Sequence, residues 1–181
     1  MLGPFTDLPL SLFGFELLVP AYALQLILSV VLGLIVGIER EVRGKPASLR
    51  TFSTISAGSC LFTMLSVRAT GVSGAGMSSL DHDVTRVAAQ IVTGIGFLGG
   101  GVIFKTTDRV EGITTGALIW FMSAVGMACG FNAIPEAVWA FTIMGVSHFF
   151  IVILYRIIYL FKRSRLRKAR EISRRPTTAE D

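Results

Sequence analysis

Asp83, Arg86 and Gln90 follow one another at steps of three and four residues, the spacing that stacks side chains on one face of a helix. At 100° per residue, Gly94, Phe97 and Gly101 continue that face within an arc of roughly 80°. A carboxylate, a guanidinium and an amide in a row can form an ion pair at i,i+3 and a hydrogen bond to another helix. That is equipment for binding. Glu39, Arg40 and Glu41 close one apolar run, and Arg50 opens the next. Two readings of these groups stand side by side. Glu39, Arg40, Arg50, Asp83, Arg86 and Gln90 make a polar site required for activity, or they are a structural ladder with a clamp across the loop. A lipid-facing stripe of this kind is costly, so on either reading it faces protein.

Asp81-His82-Asp83 offers oxygen ligands of the kind magnesium takes, and magnesium often needs only one or two carboxylates beside its waters. Asp81 and Asp83 are therefore the candidate metal ligands. The competing reading is a polar loop before a helix, where Asp suits the dipole. Gly94-Ile-Gly-Phe-Leu-Gly99 matches GxGxxG literally, but a dinucleotide site needs that pattern between a strand and a helix start. Here it lies inside an apolar run. Gly94, Gly96, Gly99, Gly100 and Gly101 either let helices approach closely or break the helix and open backbone to a cavity. No HExxH, GxSxG elbow or P-loop occurs. Neither catalysis nor a cofactor is expected. Cys60 and Cys129 fall in separate apolar runs and read as small buried residues. His148, in the last run, reads as an interhelical hydrogen-bonding partner.

The elements that hold these groups are set by composition. Of 181 residues, 52% are hydrophobic and only 16% charged, with a mean hydropathy of +0.66. Soluble domains carry about 25% charged residues, and disordered chains lack this apolar content. Five runs, at about 20–38, 52–67, 84–104, 113–131 and 137–161, approach or reach the length that crosses a bilayer as helix. The expected architecture is an all-α integral membrane protein. Residues 1–161 form a bundle of five transmembrane helices, and residues 162–181 form a basic tail. Short links make sequential helices antiparallel neighbours.

Fourteen of the 17 Lys and Arg residues lie in segments 39–51, 105–112 and the tail, whereas Arg68 and Arg86 flank the loop on the other side. Basic loops stay in the cytoplasm. The N-terminus is therefore expected outside and the C-terminus inside. The start lacks the basic region of a cleavable signal peptide. Eight basic residues between Lys162 and Arg175 suit an anionic lipid surface. No basic run is interleaved with exposed aromatics, so nucleic acid is not an expected partner. Gly33/Gly37, Gly112/Gly116 and Gly126/Gly130 repeat a small-xxx-small spacing, from which self-association as a dimer is expected.

Two stretches resemble the MgtC/SapB family of bacterial inner-membrane proteins. One is Gly33-Leu-Ile-Val-Gly-Ile-Glu-Arg-Glu41 with Arg43-Gly-Lys-Pro and Leu49-Arg-Thr51. The other runs from Asp83 through Gln90-Ile-Val-Thr-Gly-Ile-Gly-Phe-Leu-Gly99 to Lys105, followed by Arg109-Val-Glu-Gly-Ile-Thr-Thr115. The resemblance covers about residues 20–131 and implies a five-span protein of the bacterial inner membrane. Some members support growth at low magnesium and survival inside macrophages, and virulence members are described as acting on the membrane sector of the F-type ATP synthase. The resemblance thus implies a modulator of another membrane complex; the alternative is a transporter or channel for magnesium or phosphate. Virulence members carry a soluble ACT-like C-terminal domain, where this sequence has residues 162–181. Sensing by such a domain is not carried over.

Overall fold

The computed structural model describes the backbone of residues 8–12, 15–19, 21–72 and 84–173, and the side chains of 22–69 and 85–159. Asp81, His82 and Asp83 lie outside the described residues, so the Asp83–Arg86 pair and the metal reading do too. The described residues include five helices: α1 (Ala21–Val42), α2 (Leu49–Val72), α3 (Val84–Gly101), α4 (Ile113–Gly130) and α5 (Ile134–Ser173). Three contain stretches long and apolar enough to cross a membrane: Tyr22–Val42, Ile113–Gly130 and Ile134–Tyr159. The other two are diluted by polar residues. α2 carries four Ser, four Thr and two Arg, and α3 carries Arg86, Gln90 and five glycines.

Two short hairpins add to this helical architecture. β1 (Leu8–Leu12) pairs antiparallel with β2 (Phe15–Val19), and β3 (Phe104–Lys105) pairs with β4 (Val110–Glu111). The third apolar run was expected to be helical to residue 104. It leaves the helix after Gly101, because three consecutive glycines remove helix propensity at about 1 kcal/mol each. Phe104 and Lys105 then turn back through residues 106–109. The Thr106 N–H donates to the Arg109 carbonyl at 2.9 Å, and Arg109 pairs with Glu111 at 2.9 Å. Gly112 closes the hairpin at φ +89°, where a Cβ would collide with the Val102 carbonyl oxygen. Only glycine fits there.

α2 lies between α1 and α4, and α3 packs on α4 and α2. Glycines set the close approaches. A Cβ on Gly33 would lie 2.7 Å from the Phe52 carbonyl oxygen, and one on Gly37 would lie 2.5 Å from the Leu49 Cα. On α4, Gly126 faces the Ser56 backbone without room for a Cβ, and Gly130 faces the Cys60 carbonyl in the same way. Gly116 meets the Gly99 carbonyl of α3, 2.7 Å from where its Cβ would be. All three small-residue stripes are therefore used inside the chain, so they are not free for a second copy. Contacts that rise together along α2 and α4 make these helices parallel, whereas α1 runs opposite to α2. One end of the bundle consequently gathers Arg40, Arg43, Lys45, Arg50, Lys105 and Arg109, with Arg68 and Arg86 at the other. The core between α1, α2 and α4 contains Phe52, Ile119, Met122 and Val125.

The chain divides into two compact units, residues 1–141 and 142–181. In the second, the described side chains are mostly exposed and apolar, among them Ile143, Val146, Phe149, Phe150 and Ile153. Such a surface suits lipid.

Candidate functional site

Arg40 lies in the last turn of α1 and is only 5% exposed. Its Nη2 donates to Thr115 Oγ1 at 2.7 Å, tying the last turn of α1 to the first turn of α4 across 75 residues of sequence. The Nε is sealed from solvent and has no hydrogen-bond partner. Glu39 pairs one turn on with Arg43, at 2.6 Å, and Arg50 is exposed. Arg40 thus engages α4, while the neighbouring acid is held within its own helix.

At the opposite end, Gln25 Nε2 donates to Asn132 Oδ1 at 2.9 Å. Asn132 closes α4 at φ 61°, a conformation that Asn tolerates better than most residues. The Arg68 guanidinium sits 5.8 Å from the centre of the Tyr22 ring.

Between these two ends the bundle buries Ser29, Ser56, Ser59, Cys60, Thr63, Ser123 and Cys129. The Ser59 and Ser123 hydroxyls share a hydrogen bond at 2.9 Å between α2 and α4. Ser29 and Thr63 donate back to carbonyls of their own helices, those of Leu26 and Ser59, each at 2.8 Å. Ser56 Oγ has no partner. Interhelical bonds of this kind average about 0.6 kcal/mol in a membrane, so the column fixes register more than it adds stability. Sequence reading passed over this column, although its signal was present. Ser56, Ser59, Thr63 and Ser66 recur at helical steps through an otherwise apolar run.

An open groove of about 570 Å³ runs between α2 and α3, lined in part by Thr54, Gly58, Phe62, Gln90, Gly94 and Leu98. A Cβ on Gly58 or Gly94 would meet nothing within 4 Å. α3 is continuous from Gly94 through Gly101. Of its glycines, Gly99 is close to α4, whereas Gly96, Gly100 and Gly101 face open space. Arg86 is exposed. The expected polar residues therefore fall in separate places: Glu39, Arg40 and Arg50 at the basic end, and Gln90 with Gly94 in the groove. Among the described residues, no group of three or more His, Cys, Asp or Glu side chains could hold a metal ion.

Apolar helices around a buried hydroxyl column, with basic residues gathered at one end, define a membrane-embedded helical protein. The MgtC family model matches residues 26–157, and the chain belongs to the MgtC family. It is 42% identical over 106 residues to Protein MgtC of Brucella abortus, covering 59% of this chain and 41% of that protein. Protein SapB of Bacillus subtilis is 36% identical over 119 residues, with coverage of 65% and 51%. The putative magnesium transporter YhiD of Escherichia coli is 42% identical over 112 residues, with coverage of 60% and 50%. The chain spans about half the length of the curated relatives it matches. No solved structure matches it.

Proposed function

We propose that this protein is a five-span protein of the bacterial inner membrane, N-terminus outside and C-terminus in the cytoplasm, that supports adaptation to magnesium limitation by binding another membrane complex. The F-type ATP synthase membrane sector is the partner that the family likeness implies. One observation carries the preference for binding over cation transport. Among the described residues no Asp or Glu is buried, and the buried charge is the Arg40 cation. A divalent cation passing about 8 Å from that guanidinium would meet a repulsion on the order of 4 kcal/mol at an effective dielectric of about 20. The neutral hydroxyls along the column carry no negative charge to offset it.

The α2–α3 groove supplies the seat. Its floor is glycine on both sides, and the Gln90 amide can bond across to an incoming helix. The eight basic residues from Lys162 to Arg175 favour an anionic leaflet, each charge near it contributing on the order of 1 kcal/mol.

The test is affinity capture of the full chain from native membranes of cells grown at limiting magnesium. ATP synthase membrane subunits should be recovered with the wild-type protein and lost with Gly58→Leu at equal abundance. Recovery unaffected by that substitution would exclude the groove, and absence of these subunits from the wild-type capture would exclude this partner.

A further inference from the structure

The basic end holds a second arrangement, built on the same Arg40 whose charge disfavours cation passage. Arg40 is buried, with Nε lacking any partner and Nη2 directed into the first turn of α4. That first turn is the positive end of an 18-residue helix. Gly112 stands at its N-cap without a side chain to accept from the free amides, and no acid lies in the first turn. A guanidinium and a positive helix end therefore face each other. The nearest carboxylate along α1, Glu39, is held by Arg43 at 2.6 Å. Glu111, beside the start of α4, is likewise paired with Arg109, so no carboxylate bridges the guanidinium and the helix end directly.

We propose that Arg40, Thr115 and the first turn of α4 form a binding site for a phosphate oxyanion. Phosphate oxygens accept from the guanidinium in a fork geometry and from helix N-terminal amides. Ile113 and Thr114, at the opening of that turn, are exposed, so an anion reaches the helix end and the Arg40–Thr115 pair from the surface. Two sources supply the same chemistry: free inorganic phosphate, or the headgroup of an anionic phospholipid at the membrane surface. The site does not rest on the ATP synthase reading, and it requires no transport.

The full chain in neutral detergent is titrated with inorganic phosphate against sodium chloride of equal ionic strength, and separately with phosphatidylglycerol in mixed micelles. The thermal unfolding midpoint is read in each arm. A saturable rise in either arm is expected, and the arm that responds identifies the source. Arg40→Gln should weaken binding at least about tenfold, the size of a lost charge-assisted hydrogen bond. Should that variant not fold, Ile113→Glu decides, since it places a carboxylate on the same first turn. Ile113→Glu should raise the midpoint without ligand and abolish the response. A wild-type protein that responds in neither arm, or a response that persists in whichever variant folds, would overturn the site.

Discussion

Gly126→Leu is expected to leave no folded protein, measured as loss of membrane abundance and of a cooperative unfolding transition in detergent. Gly126 sits where α4 crosses α2, and even a methyl group there would collide with the Ser56 backbone. Overpacking usually costs about 1–3 kcal/mol because side chains can shift. Here the obstacle is main chain, so whole helices must separate. Separation breaks the Ser59–Ser123 bond and opens the contacts around Met122 and Phe52, both fully buried. Gly96→Leu is the matched control, since nothing lies within 4 Å of a Cβ at that glycine, and its midpoint should stay near wild type. A Gly126→Leu protein as stable as wild type would remove the α2–α4 crossing on which the bundle depends.

Reporter fusions should give an all-or-none pattern. Fusions after Gly74 and Asn132 should read as periplasmic, and those after Lys45, Thr107 and Arg175 as cytoplasmic. The contacts put α1's last turn, α2's first and α4's first at one end, and basic segments are retained in the cytoplasm. α2 is the exposed point of this prediction, because its Ser and Thr content weakens it as an independent span. Its hydroxyls at Ser56, Ser59 and Thr63 are buried in the bundle, so they need not face lipid. Lys45 and Gly74 reading on the same side would dismantle the five-span arrangement.

Several boundaries were legible from residue types. α4 begins at Ile113 as the apolar run does, and it ends at Gly130, within one residue of the expected 131. α1 instead extends past Ile38 to Val42, because the Glu39–Arg43 pair and the Arg40–Thr115 bond hold one more turn. α5 starts at Ile134, three residues before the expected run at 137, and takes in Pro135. A proline in the first turn loses no helical hydrogen bond.

What spacing could not convey was partnership. Gly33/Gly37 and Gly126/Gly130 have the pattern of a dimer interface, yet both pairs close on α2 of their own chain. Arg40 looked like a partner for charges nearby in sequence but bonds Thr115, and Gln25 reaches Asn132. Local periodicity tells which face is small or polar. Only the packing of distant helices tells what it meets.

On the proposed function this protein works by binding, not by carrying ions. Purified full chain reconstituted into liposomes, assayed for magnesium and phosphate flux, tests it most directly. Flux of either ion should be no greater than in empty vesicles. Robust, saturable flux of either ion by the protein alone would contradict it.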